Sequence, residues 1–182
     1  MLQRLSHWLL FRVMGWRAEV TQPMHDKAIL CVAPHTSNQD FFVGILYYWS
    51  IGRRARFLMK KDWFFWPLGG VLRALGGVPV YRDAKHNLTD QLAAMAASET
   101  HFELAITPEG SRSPRTEWKQ GFYYVARKAG IPILLYGLDY GQKRIVCAKT
   151  LYAEHYTVEQ AMAEVKAYFA PFVAKYPEKF VY

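Results

Sequence analysis

The sequence predicts an α/β domain: a single layered unit with a mostly parallel sheet flanked by helices and an amphipathic N-terminal helix. Three observations carry that expectation. Short apolar runs of strand length alternate with stretches of helical periodicity. The 182 residues suffice for one core, so 1–182 reads as one domain. No internal repeat or low-complexity linker divides it.

The elements follow in order. Leu2, Leu5, Trp8, Leu9, Val13 and Trp16 fall at helical spacing with Arg4, Arg12 and Arg17 between them. Residues 1–17 therefore read as a helix lying in a membrane interface or packed on the core. Ala28 to Ala33 is a short buried strand bounded by Pro23 and Pro34. A helix runs from Ser37 to about Ser50, and Arg56 to Lys60 is a strand after the basic turn Arg53-Arg54. Val78 to Tyr81 is a strand introduced by Gly76-Gly77. Asn87, with Asp90 three residues on, caps a helix carrying Leu88, Leu92 and Met95. Glu103 to Thr107 is the next strand, followed by a helix from Trp118 to Ala129 closed by Gly130. Pro132 to Asp139 and Lys143 to Lys149 pair around Gly141, and a last amphipathic helix runs from Thr157 to about Tyr176 with Pro171 kinking or breaking it.

Composition narrows the functional classes. An apolar fraction of 52%, an aromatic fraction of 16% and a net charge of +8 combine in a way that suits an anionic membrane surface. Lys and Arg are spread over many elements without a nucleic-acid signature, so nucleic acid is not expected as a partner. Cys31 and Cys147 lie in apolar runs, which points to buried free thiols and a reducing compartment. The histidines are scattered and no C-x-x-C or H-E-x-x-H occurs, so no metal is expected. The longest apolar run, Phe41 to Trp49, falls short of the roughly 20 residues a membrane span needs. With Arg12 interrupting any signal-peptide core, the expected location is cytoplasmic, peripheral on the membrane's cytoplasmic face.

Two blocks carry the chemistry. In His35-Thr36-Ser37-Asn38-Gln39-Asp40, the imidazole suits proton removal near neutrality and Asp40 suits the role of orienting it. Ser37-x-x-Asp40 is equally a capping box at a helix start. Pro108-Glu109-Gly110-Ser111-Arg112-Ser113 fits a type I turn, or, with Arg112, Arg115 and Lys119 close behind, an anion site. Both blocks follow strands, and sites in such sheets collect at the carboxyl ends of strands. The segment from Trp63 to Leu68, with Val71, Leu72 and Leu75, is either core or a lip touching membrane or acyl chain.

Taken in order, His35 with Asp40, then Gly77-Val78-Pro79-Val80-Tyr81-Arg82, Pro108 to Ser113 and Ile131-Pro132-Ile133 resemble the four motifs of the glycerolipid acyltransferase family, which includes 1-acylglycerol-3-phosphate acyltransferase. Lys60-Lys61-Asp62 and Trp66-Pro67-Leu68-Gly69 resemble its connecting segment, and the likeness covers residues 28–150. The resemblance implies a fatty acyl transfer from acyl-CoA or acyl carrier protein, as co-substrate and without a cofactor, to the hydroxyl of a lysophosphatidic acid-like lysolipid. It implies His35 as general base and Asp40 as its orienter. Arg82, Glu109, Gly110, Ser111 and Arg112 would bind the acceptor's polar head, and Pro132 would shape the acyl-donor side. No G-x-S-x-G nucleophile elbow occurs, which favours direct attack on the thioester. Thr107 stands where the family usually has an aromatic residue, and Leu134-Leu135-Tyr136 replaces a second Pro-Val. A lyso-aminolipid acceptor, or a non-catalytic lipid-binding role, are the alternative readings.

Overall fold

The computed structural model describes residues 1–80 and 88–182. A helix, α1 (Leu2–His7), continues as a π-helical turn over Trp8–Val13 and leads into β1 (Arg17–Val20). Then follow β2 (Lys27–Ala33), α2 (Asn38–Ser50), β3 (Arg56–Lys60), α3 (Leu68–Ala74), β4 (Gly77–Val80), α4 (Leu88–Ser98) and β5 (Phe102–Ile106). The chain closes with α5 (Gly121–Ala129), β6 (Ile133–Asp139), β7 (Arg144–Leu151) and α6 (Val158–Phe169).

The strands form one sheet in the order β1-β7-β6-β2-β5-β3-β4. All pairings are parallel except β6 with β7. The central strand β2 explains why both sheet faces need cover: Ile29, Cys31 and Ala33 point into one apolar cluster, Ala28 and Leu30 into the other. This alternation is the strand's period of two, and a parallel strand buried on both sides reads as a continuous apolar run. On the first face Leu92 and Ala96 of α4, Phe122 and Val125 of α5, and Val165 and Phe169 of α6 complete the cluster. On the second, Leu10, Trp16 and the α2 residues Val43, Tyr47 and Tyr48 do so.

Several expected boundaries move. The helix predicted from Trp118 begins at Gly121, because Trp118 is buried and its indole Nε1 donates to Val181 O at 2.9 Å. The last helix stops at Phe169, two residues before Pro171, and the chain beyond it folds back along the sheet. Two elements were not expected. The edge strand β1 is too short and exposed to leave an apolar pattern, and α3 is hidden by Gly69 and Gly70. Gly69 is required there: a Cβ would lie 2.7 Å from the Phe64 carbonyl. Asn87, Tyr81 and Arg82 lie outside the described residues.

The N-terminal helix turns Ser6 and Leu10, outside the expected apolar set, inward, and Trp16 of that set is buried just beyond the helix, while Leu2, Leu5, Trp8 and Val13 stand about half exposed. No described helix is long and apolar enough to cross a membrane.

Candidate active site

The chain leaves β2 for β3 and β4 on one side, returns to β5, then crosses to β6 on the other side of β2. Such a reversal opens a crevice beyond the carboxyl ends of the strands. Parallel register, with Cys31 opposite Ile106 and Ala33 opposite Gly137, brings the segments after β2, β5 and β6 to one edge. His35, Glu109 and Tyr140 all belong to these segments.

The first block serves as helix cap and as side-chain pair together. Ser37 is the N-cap of α2, its hydroxyl accepting from Gln39 N at 3.1 Å. Asp40, three residues into the helix, reaches back: its Oδ2 accepts from Thr36 N and Ser37 N, both at 2.8 Å. The same oxygen faces His35 Nδ1 at 3.3 Å. The carboxylate is almost fully buried, whereas the imidazole keeps 22% of its surface. With Nδ1 turned to Asp40, Nε2 is the nitrogen left for a reacting proton. The capping reading and the catalytic reading are therefore one geometry.

The second block closes over His35. Gly110 N donates to Thr107 O at 3.1 Å, so residues 107–110 form a turn with Pro108 second and Gly110 fourth. Glu109 is buried, and its Oε1 accepts from the backbone N–H of His35 at 2.6 Å. Gly110 has φ +66°, and the Lys119 side chain lies so close that a Cβ would sit 2.9 Å from its Cγ. Lys119 N in turn donates to Pro108 O at 2.6 Å. Ser111 Oγ donates to Ser113 O and accepts from Arg115 Nε, each at 3.1 Å. Arg112 is exposed, with no ion pair or hydrogen bond among the described residues.

Burial pushes the Glu109 carboxyl up to about 7; the His35 N–H opposes this and the Asp40 charge adds to it. Below the usual value of 4.5 both native and unfolded chains hold this proton. Between 4.5 and about 7 the native state keeps a proton the unfolded chain has released, so the contribution of Glu109 to stability falls as pH rises through that window. Above it the deficit is constant. Glu109→Gln keeps an oxygen for the His35 N–H and removes the charge. Urea unfolding is expected to find this variant more stable than the parent by about 2 kcal/mol near pH 8 and equal to it near pH 4. An equal offset at both pH values would refute the buried-charge account.

Of the other expected site residues, Arg82 lies outside the described residues and Pro132 does not join this edge. Pro132 O accepts from Ile29 N at 2.9 Å and Ile133 pairs with Ile29. Seven residues of strand put it roughly 20 Å from the level of His35, at the opposite end of the sheet. The Ile-Pro-Ile motif starts β6, at the end of the strand away from His35. What reaches the site from that strand is Tyr140, seven residues beyond Ile133, whose hydroxyl donates to Asp40 Oδ1 at 2.6 Å. In sequence, Asp139-Tyr140-Gly141 reads only as a turn.

The same edge carries exposed aromatic groups: Phe42 on α2, and Trp63, Phe65 and the 91%-exposed Trp66 in the segment after β3. Of that segment, Gly69 and Leu72 are buried, so it is part core and part exposed lip. Among the described residues no group of three or more His, Cys, Asp and Glu side chains could hold a metal ion.

The family model described as Acyltransferase matches residues 17–135, which spans both blocks. Among solved structures, the 1-acyl-sn-glycerophosphate (LPA) acyltransferase PlsC from Thermotoga maritima is similar, with a TM-score of 0.62 and 16% identity over 92% of this chain and 73% of that one. No curated protein gives a significant match.

Proposed function

Because the chain belongs to the acyltransferase family, we propose that it moves a fatty acyl group from an acyl thioester, acyl-CoA or acyl carrier protein, to a hydroxyl of a lysolipid, with His35 as general base. One observation carries the mechanism: a partly exposed imidazole holds its Nδ1 against the buried Asp40 carboxylate, beside the turn at Gly110. The acceptor hydroxyl gives its proton to His35 Nε2 as its oxygen attacks the thioester carbonyl carbon. The tetrahedral intermediate then expels the thiolate, which takes the proton back from the imidazolium. Asp40 stabilises that transient cation. The exposed Lys119, whose side chain packs against Gly110, supplies positive potential at the same mouth, where an oxyanion or a phosphate head is held.

PlsC from Thermotoga maritima is a 1-acyl-sn-glycerophosphate (LPA) acyltransferase, and exposed Arg112 beside Ser111 supports a phosphate-bearing acceptor here too. Thr107, lying under the turn that carries Glu109, is where acceptor choice is expected to depart from other members.

Acceptor and enzyme meet at a membrane surface. Leu2, Leu5, Trp8 and Val13 are exposed beside Arg4 and Arg12, and Trp63, Phe65 and Trp66 rim the catalytic edge. Apolar and aromatic groups interleaved with cations suit an anionic interface. The reading is tested with labelled acyl-CoA and acyl carrier protein against a panel of lysolipids in anionic and neutral vesicles. Transfer to lysophosphatidic acid, faster on anionic vesicles and with KM for that acceptor raised about tenfold in Arg112→Ala, is expected. Transfer only to a non-phosphorylated acceptor, with Arg112→Ala indistinguishable from the parent, would sink the phosphate assignment.

A further inference from the structure

We propose that Tyr140 is a positioning residue for the His35–Asp40 pair, its hydroxyl occupying the Asp40 oxygen that faces away from His35 and so fixing which oxygen meets the imidazole. The proposal deepens the general-base reading above and rests on it.

Asp40 presents two unlike oxygens. Oδ2 takes the Thr36 and Ser37 N–H groups and faces His35, whereas Oδ1 accepts from the Tyr140 hydroxyl alone among the described residues. A buried carboxylate oxygen without a donor is costly, so the phenol satisfies it and locks the carboxylate's rotation.

Tyr140 is itself held by backbone and ring contacts. Its backbone N–H donates to Val173 O at 2.8 Å. The turn beyond it is pinned by Asp139, whose Oδ1 accepts from Gly141 N and Gln142 N and whose Oδ2 accepts from Arg144 Nε. The ring meets Trp16 edge-on at 5.0 Å, and the Lys175 ammonium lies 5.8 Å from its centroid. Burial, and then the hydrogen bond to Asp40, push the phenol well above its ordinary value, so it remains a donor throughout the working pH range.

The tail that holds Tyr140 also holds the first block. Tyr176 N donates to Thr36 Oγ1 at 3.2 Å. Phe172 packs against Gly137 so closely that a Cβ there would lie 2.4 Å from its ring. Thus β6, the C-terminal tail and the His35 segment are braced together, with the phenol as the contact that reaches the reacting pair. The charged and titratable groups facing the phenol are Asp40 from α2 and Lys175 and Tyr176 from the tail, and Glu109 from the turn after β5 faces Asp40 and the His35 backbone.

Tyr140→Phe keeps the ring and deletes the donor. Expected is a kcat about tenfold lower at unchanged KM for both substrates. Freed of the phenol, the Asp40 charge holds the imidazolium more strongly, so the acid limb of the kcat/KM profile moves to higher pH. The titration midpoint of the His35 imidazole resonance, read by NMR in the unliganded protein, moves the same way. In an Asp40→Asn background the substitution is expected to cost no further activity. A parent-like kcat and imidazole titration, or a loss that persists in the Asp40→Asn background, would overturn the proposal. So would a lowered thermal midpoint with an unmoved titration, since that is packing alone. If the parent transfers no acyl group, the general-base reading fails while the imidazole titration still decides the role of Tyr140.

Discussion

His35→Ala is expected to lower kcat on the order of 10³-fold in acyl transfer from labelled acyl-CoA, with KM little changed. Proton removal is an event of the transition state, so its loss falls on the chemical step and leaves ground-state binding alone. The fold is expected to survive. The bond to Glu109 uses the backbone N–H of position 35 and remains, and the imidazole is itself partly exposed. Unfolding free energy should change by about 1 kcal/mol or less. Thiol release measured beside a denaturation curve separates the two: an undiminished rate in a folded variant removes His35 from the mechanism.

How much of this site the sequence made legible depends on how local its parts are. His35, Ser37 and Asp40 are within one turn of chain, so their types and spacing specify both the cap and the pair. The Pro108–Gly110 turn is equally local. What the spacing left open was whether Asp40 caps a helix or orients a base, and in the structure one carboxylate oxygen both accepts from the cap's N–H groups and faces the His35 imidazole. The buried Glu109 oxygen holds the His35 backbone, a contact across 74 positions of chain that no local pattern encodes.

The same limit explains the other differences. A motif such as Ile-Pro-Ile identifies a strand without saying which end of it faces the site. Register puts Pro132 beside Ile29 and leaves Tyr140 to arrive at Asp40 across 100 positions. Gly137 carries no signal of its own, because what requires it is the ring of Phe172 from the returning tail. The architecture, by contrast, was approachable: Cys31 and Cys147 are buried in strands as their apolar neighbours implied, and the alternation of strands with helices pointed to the layered, mostly parallel sheet.

Asp40 offers the sharpest separation of folding from chemistry, through two substitutions. Asp40→Ala leaves the Thr36 and Ser37 N–H groups and the Tyr140 hydroxyl without their acceptor, in a buried setting. Each orphaned donor costs about 1–3 kcal/mol, and the Asp40 half of the capping box goes with them, so a loss of at least about 3 kcal/mol in unfolding free energy is expected. Activity should fall on the order of 10³-fold as well. Asp40→Asn retains an amide oxygen for the two N–H groups, and its expected stability lies within about 1 kcal/mol of the parent. An amide carries no charge to stabilise an imidazolium and does not fix the His35 tautomer, so its kcat should stay near that of the alanine variant. Urea denaturation and single-turnover acyl transfer on both proteins decide the matter. Recovery of rate along with stability in Asp40→Asn would mean the carboxylate serves the helix cap alone, and the pair with His35 would lose its mechanistic role.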